Sequence, residues 1–430
     1  MTPAILSPRE VAPVLDHIDQ LWPSLIHHQP RDKGKLLKVP HPYVTPANGR
    51  MFRKELYYWD TFFTSLGFEG TPRERMIPGF AHNLAHLYRR FGIIPNANCY
   101  YFLSRSQPPF LTQLIWLGYR VLQKITPCGP EQALLVERKA DDAHNFLRET
   151  MEVARREHNR VWMGKDRLTY AGLSRYFDIN QVDWAVACES GWDHTTRCDD
   201  RWLSHLPVDL NSILYVRERD IAKAAEVLGE SRRAERWHEM ADRRRETIRE
   251  LMFDDNAGFF FDYDVDRKQV NPHPSLAGFY PLWAGLATED QAKLVVHKWL
   301  PEFERAGGLL TTLEESHEKQ WAAPNGWAPL MYLVTEGLDR YGYHQDADRL
   351  RAKWVKTCLT RFQQTGHMFE KYNVRDVDQP VEGGVYGQLT GFGWTNSIFV
   401  VFARKLGLCQ DTEPNTTETY APLLVEEIAV

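Results

Sequence analysis

Residues Ile221 to Gly229 read IAKAAEVLG. Ile221, Ala224, Ala225 and Leu228 fall at i, i+3, i+4 and i+7, which sets four apolar side chains on one face of an α-helix. Gly229 then supplies the stop, because glycine enters left-handed backbone without a steric cost. The same pattern recurs along the chain. SPREVAPVLDHIDQLW, from Ser7, opens with Ser7, Pro8 and Glu10, a capping box with proline at the first helical position. Leu111, Leu114, Ile115 and Leu122 share a helical face after SRSQPP, and Gly118 interrupts that stripe. Trp237, Met240, Ala241, Ile248, Leu251 and Met252 form a further helical stripe, and Leu350, Trp354 and Cys358 mark one late in the chain. Strand signals are few, and GFFFDYD (Gly258 to Asp264) reads as a short hairpin arm.

Between these helices lie loops dense in Gly, Pro, Trp and polar residues. They include IIPNANCYYFLSRSQPPF, CESGWDHTTRC, QWAAPNGWAP and EGGVYGQLTGFGWTN. Amphipathic helices joined by such loops imply an all-α toroid or bundle with a site built from loops at one end, where function concentrates. Periodicity alone does not choose between a toroid and a superhelix. No low-complexity linker divides the chain, so residues 1–430 are expected to form one catalytic domain with a tail from about residue 410.

The chain has 430 residues, 43% hydrophobic, with a net charge of −5. Charges of both signs are interspersed, which excludes the basic face that nucleic acid requires. There is no run of eighteen apolar residues, so no membrane span is expected. The N-terminus lacks a basic patch followed by an apolar run, and six cysteines are scattered. The expectation is therefore a cytoplasmic protein in a reducing compartment. Aromatic residues make up 12%, enough for a large aromatic core and also for stacking on the C–H faces of sugars.

Several chemistries are weakly signalled. Cys188 and Cys198 lie in a C-x9-C spacing with no second pair, unlike the close pairs of zinc sites. His82 and His86 stand at i, i+4, but no glutamate follows His82 as in HExxH. There is no nucleophile elbow and no phosphate loop. No metal and no organic cofactor are expected. Paired carboxyls are the remaining option, since glycosidic cleavage needs one protonated carboxyl and a second as base or nucleophile. Asp193 follows Trp192, and desolvation by a tryptophan raises a carboxyl's pKa toward an acid's role. Asp60 follows Trp59 in the same way, so composition does not select the pair.

Ordered motifs select it. ELYYWDTFF resembles E-x-Y-Y-W-D-S-Y-F of the trehalases. IPNANCYYFLSRSQPPF is similar to their I-P-N-G-N-x-x-Y-Y-x-x-R-S-Q-P-P, and CESGWDHTTR to E-S-G-W-D-x-S-x-R. QWAAPNGWAPL, FEKYNV and GFGWTN resemble Q-W-D-x-P-N-G-W-A-P, E-K-Y and G-F-G-W-T-N. These blocks keep the family's order from about Glu55 to Asn396. The chain is thus identified as a trehalase-like member of glycoside hydrolase family 37 or its clan.

The resemblance implies an (α/α)6 barrel that hydrolyses a small α-glucoside with inversion. It implies Asp193 as general acid and Glu370 as general base, with carboxyls about 6.5–9.5 Å apart to admit a water. Outside the motif, a salt bridge with Lys371 or Arg375 would be the simpler reading of Glu370. Substrate-binding roles carry over to Trp59, Asp60, Asn96, Arg105, Gln107, Gly191, Trp321, Trp327 and Tyr386. For each tryptophan alone, core packing is the simpler reading. Departures cluster around the leaving group. Q-W-D has become Gln320-Trp321-Ala322, and Val385 stands where the family has glutamate, with Glu382 three residues upstream. The R-P-R-P-E-S block has no clear match, and LSRYFD offers only Arg175 and Asp178, of which Arg175 is taken as the leaving-group contact. Arg50 and Arg53 compete for one arginine role. The expected substrate is trehalose or a related α-glucosylated solute. The alternatives are a hydrolase specific for glucosylglycerol or glucosylglycerate, and a sugar-binding protein without turnover.

Overall fold

The structure, a computed structural model, describes residues 6–49, 51–124, 132–381, 384 and 386–409, with 132–140 described by backbone alone. The expected tail from residue 410 lies outside the described residues.

Helices alternate between two layers along the chain. In order they are α1 (Pro8–Leu25), α2 (Tyr58–Leu66), α3 (Ile77–Phe91), α4 (Leu111–Lys124) and α5 (Gln132–Glu157). After the short α6 (Asp183–Ser190) come α7 (Val208–Val227), α8 (Ser231–Met252), α9 (Tyr280–Ala284), α10 (Glu289–Leu294) and α11 (Leu300–Phe303). The series ends with α12 (Ala328–Arg340), α13 (His344–Thr365) and α14 (Gly393–Lys405). Helices α2, α4, α7, α9, α12 and α14 each pack on the next, and α14 returns to α2. That closure selects the toroid over the superhelix. It is pinned where the Ser397 hydroxyl donates to the Thr64 carbonyl at 2.6 Å. Around this ring lie α1, α3, α5, α8, the α10–α11 segment and α13, giving the (α/α)6 architecture.

Burial explains the two layers. Every residue of α2 and of α9 is buried, as expected of a helix enclosed on all sides. Helix α8 instead buries Ala234, Trp237, Ala241, Arg244, Ile248 and Met252, a single stripe facing the ring. Met240 and Leu251, expected on the same face, are partly buried at its edge. The capping box forms, with the Ser7 amide donating to Glu10 at 2.8 Å. Helix α7 ends at Val227, and Gly229 takes φ +74°. Gly118 has a packing reason: a Cβ there would lie 3.0 Å from the Phe146 ring, so its absence lets α5 approach α4.

Sheet is confined to short antiparallel ladders. GFFFDYD feeds two of them rather than one arm. Phe259–Phe260 pairs with Phe253–Asp254, and Tyr263–Asp264 lies between His205–Leu206 and Gln269–Val270. The pair that matters for function joins Asn325–Trp327 to Lys371–Asn373, with Trp327 opposite Lys371. It locks two of the motif loops together. Among the described residues, no helix is long and apolar enough to cross a membrane.

Candidate active site

The motif loops converge on a cavity of about 430 Å³. Asp60, Asp193 and Glu370 line it together with Trp59, Trp321, Trp327 and Trp394. Of the residues carried over by resemblance, Asn96, Arg105, Gln107, Gly191 and Tyr386 also line it. Arg175 does not; its guanidinium donates to the Leu203 carbonyl at 2.6 Å and the Asp166 carbonyl at 3.3 Å. Arg53 is exposed and also absent from the lining. Arg50, Glu382 and Val385 lie outside the described residues.

The block CESGWDHTTRC divides its two acids between two tasks. Glu189 is fully buried and accepts from the Ser106 and Phe177 amides, each at 2.6 Å, and from Arg167. It ties this loop to SRSQPP and is consumed as a strut. Asp193 turns instead into the cavity. Gly191, at φ +75°, caps α6 in left-handed backbone, and His194 just beyond Asp193 has φ +58°. A Cβ on Gly191 would lie 2.6 Å from the Trp59 ring. Gly191→Ala is therefore expected to displace Trp59 as well as to strain the backbone, at about 1–3 kcal/mol for the conformation alone. A lower melting temperature together with a raised KM would register both effects.

The cysteines that frame the block are not bonded to each other, and Cys188 and Cys198 are both free. Cys198 lies 3.7 Å from Asp262 inside a buried ion cluster in which Arg197 donates to Asp262 and Asp209. The Arg197 guanidinium stands 4.5 Å from the Trp192 ring, bracing the residue beside Asp193. Trp192 stacks on Trp321, and Trp321 on Trp327 at 3.8 Å and 1°. These rings form an apolar wall backed by core.

The two carboxyls have different partners. Asp193 Oδ2 accepts from the Gln320 amide nitrogen at 2.6 Å. Glu370 Oε2 accepts from Lys371 Nζ at 2.8 Å, and its Oε1 accepts from the Tyr386 hydroxyl at 3.0 Å. The salt-bridge reading and the cavity reading of Glu370 thus hold together, while Arg375 pairs elsewhere, with Glu315. Burial pushes both carboxyls above their ordinary range; His194, the residue's own backbone amide, Lys371 and Gln320 oppose this at Asp193, and Lys371 with Tyr386 at Glu370. Burial also drives Asp60 well up, reinforced by repulsion from Glu370 and Asp193. A charged donor favours an ionised carboxyl more than a neutral amide does. The two carboxyls thus meet donors of different charge, a neutral amide at Asp193 and an ammonium at Glu370.

The remaining polar lining is held by the scaffold. Gln107 Oε1 accepts the Trp59 amide at 3.2 Å. Asn96 donates to the carbonyls of Ser106 and Cys188 at 3.2 and 3.1 Å. Arg105 donates to Asp178 at 3.0 Å. Burial raises the Asp178 carboxyl, but donors from Asn180, Ser104 and Arg105 outweigh it and hold the group below its ordinary value. Sequence reasoning passed over Gln320, Lys371 and Trp394 as site residues, although all three stand in motif blocks. Adjacency to Trp321 and Glu370 was the available signal for Gln320 and Lys371, and membership of the GFGWTN block for Trp394.

A cavity with two buried carboxyls held by different donors, walled by tryptophan inside an (α/α)6 toroid, defines a glycoside hydrolase. The trehalase family model matches residues 4–184 and 182–407. The chain is 32% identical over 423 residues to the periplasmic trehalase of Xanthomonas oryzae pv. oryzae (strain MAFF 311018), covering 91% of this chain and 73% of that one. It is 31% identical over 458 residues to the periplasmic trehalase of Escherichia coli O1:K1 / APEC, covering 98% and 80%. Neutral trehalase Nth1 from Saccharomyces cerevisiae superposes with a TM-score of 0.72 at 29% identity, covering 90% of this chain and 78% of that one. The chain belongs to the trehalase family of glycoside hydrolases.

These relatives overturn one expectation. The cytoplasmic reading rested on scattered cysteines and on the look of the N-terminus, whereas the curated relatives are periplasmic trehalases. Cysteine usage was a poor guide here for a physical reason. Cys99, Cys198 and Cys358 are buried free thiols held protonated by burial, and a buried, protonated thiol is inert whatever the redox state outside.

Proposed function

We propose that this chain hydrolyses trehalose, or a closely related small α-glucosylated solute, with inversion at the anomeric carbon. Asp193 is the general acid and Glu370 the general base. Trp59, Trp321 and Trp327 wall the glucose, and Asp60, Asn96, Arg105 and Gln107 meet its hydroxyls. The supporting observation is the asymmetry of the two buried carboxyls, one held by a neutral amide and the other by an ammonium and a phenol.

In the reaction, Glu370 takes a proton from a water as that oxygen bonds to the anomeric carbon. The bond to the leaving oxygen breaks, and that oxygen takes the proton of Asp193. The two carboxyls finish with exchanged protonation and reset through solvent. The apolar wall excludes bulk water, which strengthens the electrostatics of both transfers.

Early proton NMR of trehalose cleavage tests the stereochemistry. Inversion yields one β- and one α-glucose per trehalose before mutarotation, and retention yields α-glucose alone. A second reading concerns the leaving group. Arg175 is spent on backbone carbonyls, and Ala322 brings no carboxyl. Both observations favour a leaving-group pocket with fewer polar anchors, as a leaving group smaller than glucose, such as glycerol, would need. Relative kcat/KM over trehalose, glucosylglycerol and glucosylglycerate decides between the two; a preference of tenfold or so corresponds to about 1.4 kcal/mol.

A further inference from the structure

The hydrogen-bonded path from Asp193 to Glu370 runs through two further side chains. Gln320 Nε2 donates to Asp193 Oδ2 at 2.6 Å, Lys371 Nζ donates to Gln320 Oε1 at 3.0 Å, and Lys371 donates again to Glu370 Oε2 at 2.8 Å. Gln320 is fully buried and Lys371 is 1% exposed. We propose that Gln320 and Lys371 are positioning residues that hold the two carboxyls in opposite protonation states and reserve Oδ1 of Asp193 for the transferred proton. This rests on the acid–base assignment above and adds to it the means by which the assignment is enforced.

The argument is one of donors and acceptors. An ammonium only donates, so the group facing Lys371 on Gln320 is the amide oxygen. The amide nitrogen then has to face Asp193. Because that nitrogen donates, Oδ2 of Asp193 is an acceptor, and the acid's proton sits on Oδ1. Glu370 receives a donor on each oxygen, which leaves neither needed as a hydroxyl. The bridge is held from behind. The Gln320 carbonyl accepts from Asn325 Nδ2 at 3.0 Å and from Trp327 Nε1 at 3.2 Å. Gly384 closes over the amide, where a Cβ would lie 2.7 Å from Gln320 Oε1. Trp327 and Tyr386 flank Lys371 Nζ at 5.0 and 5.1 Å from their ring centres.

The charged and titratable groups that bear on Glu370 are Lys371, Tyr386, Asp193 and Asp60. Those that bear on Asp193 are His194, Lys371, Asp60, Glu370, Tyr386 and Cys188. Lys371 is common to both sets and acts in the same direction on each. Removing its charge should thus move the whole pH profile, not merely lower it.

The test is the pH dependence of kcat/KM for the full chain, on trehalose and on α-glucosyl fluoride, whose leaving group needs little protonation. In Lys371→Met the base loses its cation, its pKa rises, and the acidic limb moves to higher pH by about one unit or more on both substrates. The alkaline limb, set by Asp193, moves in the same direction by less. In Gln320→Leu the acid loses its donor. The alkaline limb then moves up while the acidic limb stays, and the rate loss is larger on trehalose than on the fluoride. A pair that only braced the fold would lower the rate without moving either limb. Limbs of Lys371→Met within about 0.3 unit of wild type would overturn the proposal. Lys371→Gln, which also removes the charge, serves if the methionine variant does not fold. Asp193→Asn is the control: if it loses the fluoride reaction too, the acid assignment has failed rather than the bridge.

Discussion

Glu370→Gln is expected to lower kcat on trehalose by about 10²–10⁴-fold, the usual contribution of a positioned general base. The amide keeps an acceptor for Lys371 or Tyr386, so the circular-dichroism spectrum should match wild type. On the proposed mechanism, what is lost is the group that takes the water's proton. The loss should appear equally on α-glucosyl fluoride, because the base acts on water whatever the leaving group. Glu370→Ala adds a second signature. It opens space beside the anomeric carbon, and added azide needs no base. An inverting site should then form β-glucosyl azide, with Asp193 still protonating the departing oxygen. Wild-type turnover in Glu370→Gln would remove Glu370 from the mechanism.

Asp193→Asn should show the opposite dependence on leaving group. On trehalose the expected fall in kcat is again about 10²–10⁴-fold, because a sugar alkoxide is a poor leaving group without a proton. On α-glucosyl fluoride most of the rate should survive. Gln320 lies 2.6 Å from Asp193, and its amide can meet the new side chain as either donor or acceptor after a flip. That flip would leave its nitrogen facing Lys371, so a modest rise in KM is expected as well. Equal losses on both substrates would overturn the assignment of Asp193 as the proton donor.

The two variants probe different parts of one electrostatic arrangement. Burial alone raises both carboxyls, and two acids raised together would give a site with no base. On the proposed assignment Lys371 breaks the tie, because it hydrogen bonds directly to Glu370 but to Asp193 only by way of the Gln320 amide. In that proposal one residue next in sequence to Glu370 differentiates two groups far apart in the chain.

Much of the scaffold was legible from local patterns, since helix start and stop chemistry acts within a few residues. The box at Ser7 and Glu10, the stripe from Ile221 and the stop at Gly229 appear where their side-chain chemistry requires. The hairpin at Gly258 was read too simply, because its two halves pair with different partners. That Arg175 points to the Leu203 carbonyl and not into the cavity lining is invisible in the sequence, because it depends on where Leu203 lies. Glu189 and Asp193 share one motif, and only the positions of Ser106, Phe177 and Arg167 reveal that the first is a strut.

By itself, the sequence determined the helical periods, the order of the motif blocks and the membership of the trehalase family. These are properties of residue type and spacing. Closure of the ring, the convergence of the loops and the bridge from Asp193 to Glu370 were decided only by tertiary structure. The reason is physical: protonation depends on burial and on which donor each carboxyl oxygen meets, and those donors arrive from segments distant in the chain.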